Sequence, residues 1–207
     1  MGTWESIFKT KGKFFYQPHE DMERLVRILR QNKSKRVFDL GCGSGRHTVF
    51  FAKNGFDVYG MDNSRSGLEQ TRDWLKKSRL RAQLKNASCY KRFPYADDSF
   101  DAIISVQVIH HAKISDIRGC ISEMRRVLKP GGIIFISVPK NKKDRFRSKV
   151  KMIAPRTFVP LDGHEVGVPH YHFNKGLLRR EFEGFKVMEL YVDTYSHYCL
   201  LAKAKKK

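Results

Sequence analysis

A chain of 207 residues suffices for one substantial α/β unit and is short for two; with 41% hydrophobic and 12% aromatic residues it can fill a core, which excludes global disorder. Lys and Arg number 41 against 21 Asp and Glu, a formal charge of +20, so its surface field attracts polyanions such as RNA, DNA or anionic lipid. No apolar run approaches the roughly 18 residues of a membrane span, residues 1–15 lack the apolar stretch of a secretory leader, and the four cysteines show no C-x-x-C spacing; the expectation is a soluble protein with free thiols in a reducing cytoplasm.

The leader carries Trp4, Phe8, Phe14, Phe15 and Tyr16 among basic residues. A helix is predicted from Pro18 to Gln31, with Met22, Leu25, Val26 and Leu29 at helical spacing. A βα rhythm then starts. Strands are predicted at Arg36–Leu40, Asp57–Met61, Ala82–Cys89, Phe100–Val106 and Gly132–Val138, and helices at Arg46–Lys53, Arg65–Lys77 and Ile114–Leu128, the last stopped by Lys129-Pro130-Gly131-Gly132. Strands alternating with helices imply a parallel sheet covered on both faces, with the ligand site at the carboxyl ends of the strands. From Lys140 to His172 the rhythm lapses into a basic, Pro- and His-containing insertion. A helix at Asn174–Phe182 and two strands, Phe185–Val192 and His197–Lys203, close the chain as a hairpin. The reading is a single domain over 1–207: an N-terminal lid and helix (1–34), a cofactor core (35–138), a substrate-side insertion (139–173), and a C-terminal helix and hairpin (174–207). The fold class is α/β, a doubly wound, mostly parallel seven-stranded sheet ending in an antiparallel hairpin.

The strongest local signal is Val37-Phe38-Asp39-Leu40-Gly41-Cys42-Gly43-Ser44-Gly45, an apolar strand running into D-x-G-x-G-x-G at a helix start. Glycines let the backbone turn sharply and approach a ligand, and amides at a helix start favour negative charge. Asp62 ends the next strand, where a carboxylate can accept from both hydroxyls of a ribose; its alternative is a helix cap, a role Ser64 can also fill. These two features suit a dinucleotide as well, but the dinucleotide fingerprint wants a glycine where Arg46 stands.

Two further stretches, Phe93-Pro94-Tyr95-Ala96-Asp97-Asp98-Ser99-Phe100-Asp101-Ala102-Ile103-Ile104-Ser105 and Leu128-Lys129-Pro130-Gly131-Gly132, make the pattern specific. Together with the glycine turn and Asp62, in order across residues 35–138, they resemble the class I, Rossmann-like S-adenosylmethionine-dependent methyltransferases of the general methyltransferase-domain and ubiquinone-biosynthesis type. The resemblance implies S-adenosyl-L-methionine as cofactor. Gly41, Gly43 and Gly45, with Cys42 and Ser44 between them, would line its methionine end, Asp39 would help hold the ammonium, Asp62 the ribose and Asn63 the adenine. Ser88 and Cys89 stand where the family usually has an acidic residue for the adenine amino group, and a thiol accepts poorly. Val106 and Gln107 would border the sulfonium.

Methyl transfer needs alignment and dryness more than a reactive side chain, and a general base only where the acceptor must lose a proton. His111, beside His110 after the fourth strand, and His164, His170 and His172 in the insertion are the candidates. No H-x-x-x-H or H-E-x-x-H spacing occurs among them, and Pro169 with two glycines makes the segment a loop, so a metal is not expected. Lys140, Lys142, Lys143, Arg145, Arg147 and Lys149 offer phosphate contacts. The expected acceptor is a small molecule, with tRNA or rRNA as the alternative and a non-catalytic, cofactor-binding partner subunit as a third possibility.

Overall fold

The computed structural model describes residues 4–12, 16–140, 149–163 and 165–205. Its elements are α1 (Trp4–Lys11), α2 (Met22–Gln31), β1 (Arg36–Leu40), α3 (Arg46–Lys53), β2 (Asp57–Asp62), α4 (Arg65–Lys77), β3 (Gln83–Asn86), β4 (Phe100–Val106), α5 (Ile114–Val127), β5 (Leu128–Pro139), β6 (Val150–Ala154), β7 (Thr157–Pro160), β8 (His170–Tyr171), α6 (Lys175–Glu181), β9 (Phe185–Val192) and β10 (His197–Ala204). Seven strands form one sheet in the order β3-β2-β1-β4-β5-β10-β9. The first five are parallel, and β10 runs antiparallel to both β5 and β9. The chain order reverses between β1 and β4, which opens a crevice at their carboxyl ends.

The central strands are buried on both faces, so they read as continuous apolar runs. The pleat sends alternate residues of β1, β4, β5 and β10 to opposite sides. Phe38, Leu40, Ile103, Ile134, Ile136 and Leu200 meet Ile117, Met124, Leu178 and Phe182 of α5 and α6 and its C-cap. Val37, Ala102, Ile104, Ile133, Phe135 and Leu201 meet Met22, Leu25, Val26, Leu29 and Phe51 of α2 and α3. Phe38 centres an aromatic cluster, 4.8 Å from the stacked Phe100 ring and 5.7 and 5.2 Å from the edge-on rings of Phe93 and Tyr95.

Four expectations change. The strand expected over Ala82–Cys89 shortens to β3, Gln83–Asn86, so Ser88 and Cys89 lie beyond it. The aromatic leader holds a helix of its own, α1, and the helix expected from Pro18 begins only at Met22. The insertion contains a second, three-stranded sheet, β6-β7-β8, whose pairing of Phe158 with His170 and Thr157 with Tyr171 turns the supposed histidine loop into an edge strand. The stop after α5 is immediate: Leu128 caps the helix and already starts β5, which pairs Leu128 with Phe100.

Candidate active site

β1 ends in the glycine turn, and the crevice is built around it. Gly41, Gly43 and Gly45 have φ of 74°, 52° and 93°, values that side chains adopt only with strain. Space also matters there. A Cβ on Gly41 would lie 2.3 Å from a Val108 methyl, one on Gly43 would lie 2.8 Å from the Phe8 ring, and one on Gly45 would lie 2.8 Å from Thr71. The turn is pinned to β2 by the Gly41 and Cys42 amides, which donate to the Met61 carbonyl at 2.8 and 3.1 Å. Gly45 is the N-cap of α3 and gives it no side-chain cap bond; Asp39 takes the Thr48 amide of the first turn, and the helix start carries the partial positive charge of its dipole.

Asp62 ends β2 beside this turn. Its carboxylate accepts from the Gly43 amide at 2.9 Å and from the Ser64 amide at 2.8 Å; burial raises its pKa, and the amides oppose that shift. The helix cap is Ser64, whose Oγ accepts from Gly67 N at 3.0 Å. Ser64 thus caps the helix, and the Asp62 carboxylate, which also meets the Asn63 amide, keeps lone-pair capacity for a ligand.

Other expected contacts go elsewhere. Asp39 is 1% exposed and lies under the turn, accepting from Thr48 Oγ1 at 2.6 Å. Burial lifts its pKa to about 6. It supports the turn from below. Cys42 and Ser44 are buried too and present backbone. The Cys89 thiol interacts with that of Cys120 in the core, away from an adenine edge, while Ser88 Oγ accepts from Tyr90 N at 3.2 Å. Asn63 stands exposed between Asp62 and Ser64. Val106 is buried; Gln107 follows with φ of 61°, its amide and side chain both donating to Ser137, at 3.0 Å each.

The roof of the crevice is α1, which the sequence reading left without a structure. Glu5 accepts from Ser64 Oγ and Ser66 Oγ at 2.7 Å each, and these bonds lower its pKa. Gln70 donates to the Phe8 carbonyl at 3.0 Å, and the Trp4 ring sits edge-on to His111 at 5.1 Å. An aromatic helix ahead of the core was the available signal. Its docking partners were not.

Across the crevice, the 107–111 segment after β4 meets β8. The ring centroids of His110 and His111 lie 3.8 Å apart, and that of His170 lies 5.6 and 4.8 Å from them. His172 turns to the other side, 4.4 Å from the Phe158 ring. Burial drives the pKa of His110 well down, that of His111 to about 3 and those of His170 and His172 to about 4, so all four are neutral imidazoles at neutral pH. His164, Lys142, Lys143, Arg145 and Arg147 lie outside the described residues; Lys140 and Lys149 flank that stretch.

A doubly wound sheet with an antiparallel last strand, a glycine turn at the switch between β1 and β4, and a carboxylate at the end of β2 define a Rossmann-like nucleotide-cofactor domain of the methyltransferase kind. The methyltransferase domain family matches residues 37–132 of the chain. Methyltransferase GfsG of Streptomyces halstedii is 35% identical over 117 residues, covering 56% of this chain and 41% of that protein. A ubiquinone biosynthesis O-methyltransferase of Pelagibacter ubique is 30% identical over 105 residues, covering 51% and 42%. The chain thus spans about two fifths of the length of these curated relatives. The PH0226 protein of Pyrococcus horikoshii OT3 superposes with a TM-score of 0.75 at 21% identity, over 97% of this chain and 99% of that one, a likeness of fold.

The residues present fit the family's cofactor. The partial positive start of α3 suits a carboxylate, and the remaining lone pairs of Asp62 suit ribose hydroxyls.

Proposed function

We propose that this chain binds S-adenosylmethionine between the 41–45 turn and Asp62 and transfers its methyl group to a small-molecule acceptor. The observation that carries the reading is the Asp62 carboxylate, held by the Gly43 and Ser64 amides beside the glycine turn that ends β1. The small-molecule part draws on the relatives, one of them a ubiquinone biosynthesis O-methyltransferase.

When bound, the cofactor supplies an electrophilic methyl on a sulfonium. The chain's own residues do the rest. The start of α3 and Asp62 fix the two ends of the cofactor, and α1 with Trp4 and Phe8 excludes water from the crevice. Gln107, strained at positive φ and tied to Ser137, holds the β4 edge where the acceptor would approach. Alignment in a dry site accounts for most of the acceleration of an in-line displacement.

A second reading, RNA as acceptor, is favoured by the formal charge of +20 and by Lys140 and Lys149 bordering the insertion. No helix among the described residues is long and apolar enough to cross a membrane, and the four free cysteines support residence in a reducing cytoplasm. Incubation with methyl-labelled cofactor and a cell extract tests the acceptor. Label in the small-molecule fraction is expected; label in RNA, with binding that weakens steeply as salt rises, overturns the small-molecule reading.

A further inference from the structure

Three histidines from distant parts of the chain converge behind Trp4, and their chemistry goes beyond a proton acceptor. His110, His111 and His170 each offer one ring nitrogen, and these nitrogens all lie within 4.8 Å of one another. The Nδ1 atoms of His110 and His111 and the Nε2 atom of His170 are buried with no hydrogen-bond partner among the described residues. Glu165 Oε2 lies 3.4 Å from that His170 Nε2, as an ion-pair neighbour. A buried polar atom without a partner costs about 1–3 kcal/mol, and native structures rarely tolerate three in one place. Something belongs among them.

We propose that His110, His111 and His170 form a three-histidine site for a divalent metal ion, Zn2+ in particular, that leaves a fourth coordination position open. Neutral imidazole is the form that ligates. Three imidazoles with an open position are a known donor set for zinc, whose Zn–N bonds of about 2.0–2.1 Å place tetrahedral nitrogens about 3.3 Å apart. Small ring rotations bring the three nitrogens to that spacing.

The surroundings supply what ligating histidines require of their neighbours. The carbonyls of Pro169 and Gln107 face the His111 ring, and a carbonyl or carboxylate on the second ring nitrogen is the usual partner of a metal-bound imidazole. The Tyr171 amide donates to the His110 carbonyl, tying β8 to the 107–111 segment and so fixing His170 against the pair. His170 is the least buried of the three, with a side chain 13% exposed, and gives the ion its way in. Two other clusters, His19–Asp193–His197 and His19–Asp21–Cys199, differ in kind. In the first, Asp193 already receives His19 and His197 at 3.0 and 2.8 Å; in the second, Asp21 has His19 as an ion-pair neighbour at 3.4 Å.

The test uses protein purified without a polyhistidine tag, stripped with a chelator and titrated with Zn2+ or Co2+, with elemental analysis after desalting. The expected result is one ion per chain, the visible bands of tetrahedral Co2+, and a rise in Tm with Zn2+. His170→Gln and His111→Gln should each weaken binding by more than about 100-fold, the upper end of what loss of an outer-shell partner costs. His197→Gln should retain the ion. Circular dichroism and S-adenosylhomocysteine affinity report folding and the cofactor site separately, so loss of metal with both intact assigns the ion to these histidines whatever the acceptor proves to be. If His111→Gln does not fold, the more exposed His170→Gln decides. No retained ion in the parent, undiminished binding in His170→Gln, or loss of the ion in His197→Gln alone would overturn the site.

Discussion

Asp62→Ala removes the carboxylate on which the proposed cofactor site depends, and the structure sets the size of the effect. Two backbone amides, of Gly43 and Ser64, lose their acceptor at 2.9 and 2.8 Å. Hydrogen bonds to a charged group contribute about 1.5–3 kcal/mol. Against this, burial raises the pKa of Asp62, so the folded chain already bears a desolvation cost that the alanine relieves, and water can reach the freed amides of a half-buried site. The loss of fold stability should therefore be small, about 1 kcal/mol by urea unfolding. Ligand binding has no such offset, because the ribose hydroxyls lose their acceptor and the turn loses its tether. Affinity for S-adenosylhomocysteine should fall roughly 10- to 150-fold, about 1.5–3 kcal/mol. Calorimetry on parent and variant at one pH and salt reads both the affinity and its enthalpy. A folded Asp62→Ala chain that binds S-adenosylhomocysteine within about twofold of the parent refutes the placement of the ribose at Asp62.

Asp39→Asn should behave in the opposite sense for stability. The pKa of Asp39, raised to about 6 by burial, means that its contribution is fully present below pH 3.8 and is lost as pH rises through 6. The asparagine, which still accepts from Thr48, should then be more stable than the parent by about 1–3 kcal/mol at pH 7.5; urea midpoints that stay equal at pH 7.5 and pH 5 would contradict this. Gly43→Ala combines a positive φ, costing roughly 1–2 kcal/mol, with a Cβ 2.8 Å from the Phe8 ring. Adding Phe8→Ala should recover the steric part and leave the strain, and a Gly43→Ala chain as stable as the parent would show that the turn is not held as described. Glu5→Ala frees α1 from Ser64 and Ser66, so stopped-flow should show faster cofactor association and dissociation; unchanged rates would mean that α1 is no roof. Phe38→Ala empties the centre of the aromatic cluster and should cost about 3–5 kcal/mol in urea unfolding, a loss under 1 kcal/mol arguing against that packing.

Local periodicity and turn chemistry already determined much of this protein. β1, α3, α4, β4 and β9 match their expected ranges residue for residue, because each is bounded by its own signals: apolar runs, a glycine turn, a serine cap. The glycine turn was legible for the same reason, its backbone geometry lying within one strand-turn-helix unit. Only the tertiary structure decided which way the side chains of that unit face. The pleat turns Asp39 onto Thr48, a turn beyond the end of β3 carries the Cys89 thiol to Cys120, and no spacing rule distinguishes a carboxylate under a turn from one beside it. Positive φ at Gly43 explains the glycine locally, whereas the ring that would collide with a side chain there is Phe8 of α1, 35 positions away. The β6-β7-β8 sheet was hidden because its strands are short and stabilised by pairing with one another, not by an alternating pattern. The histidine cluster was hidden most deeply. His110 and His170 stand 60 positions apart, and their convergence exists only because β8 hydrogen-bonds to the segment after β4, a long-range contact that the order of residues does not reveal.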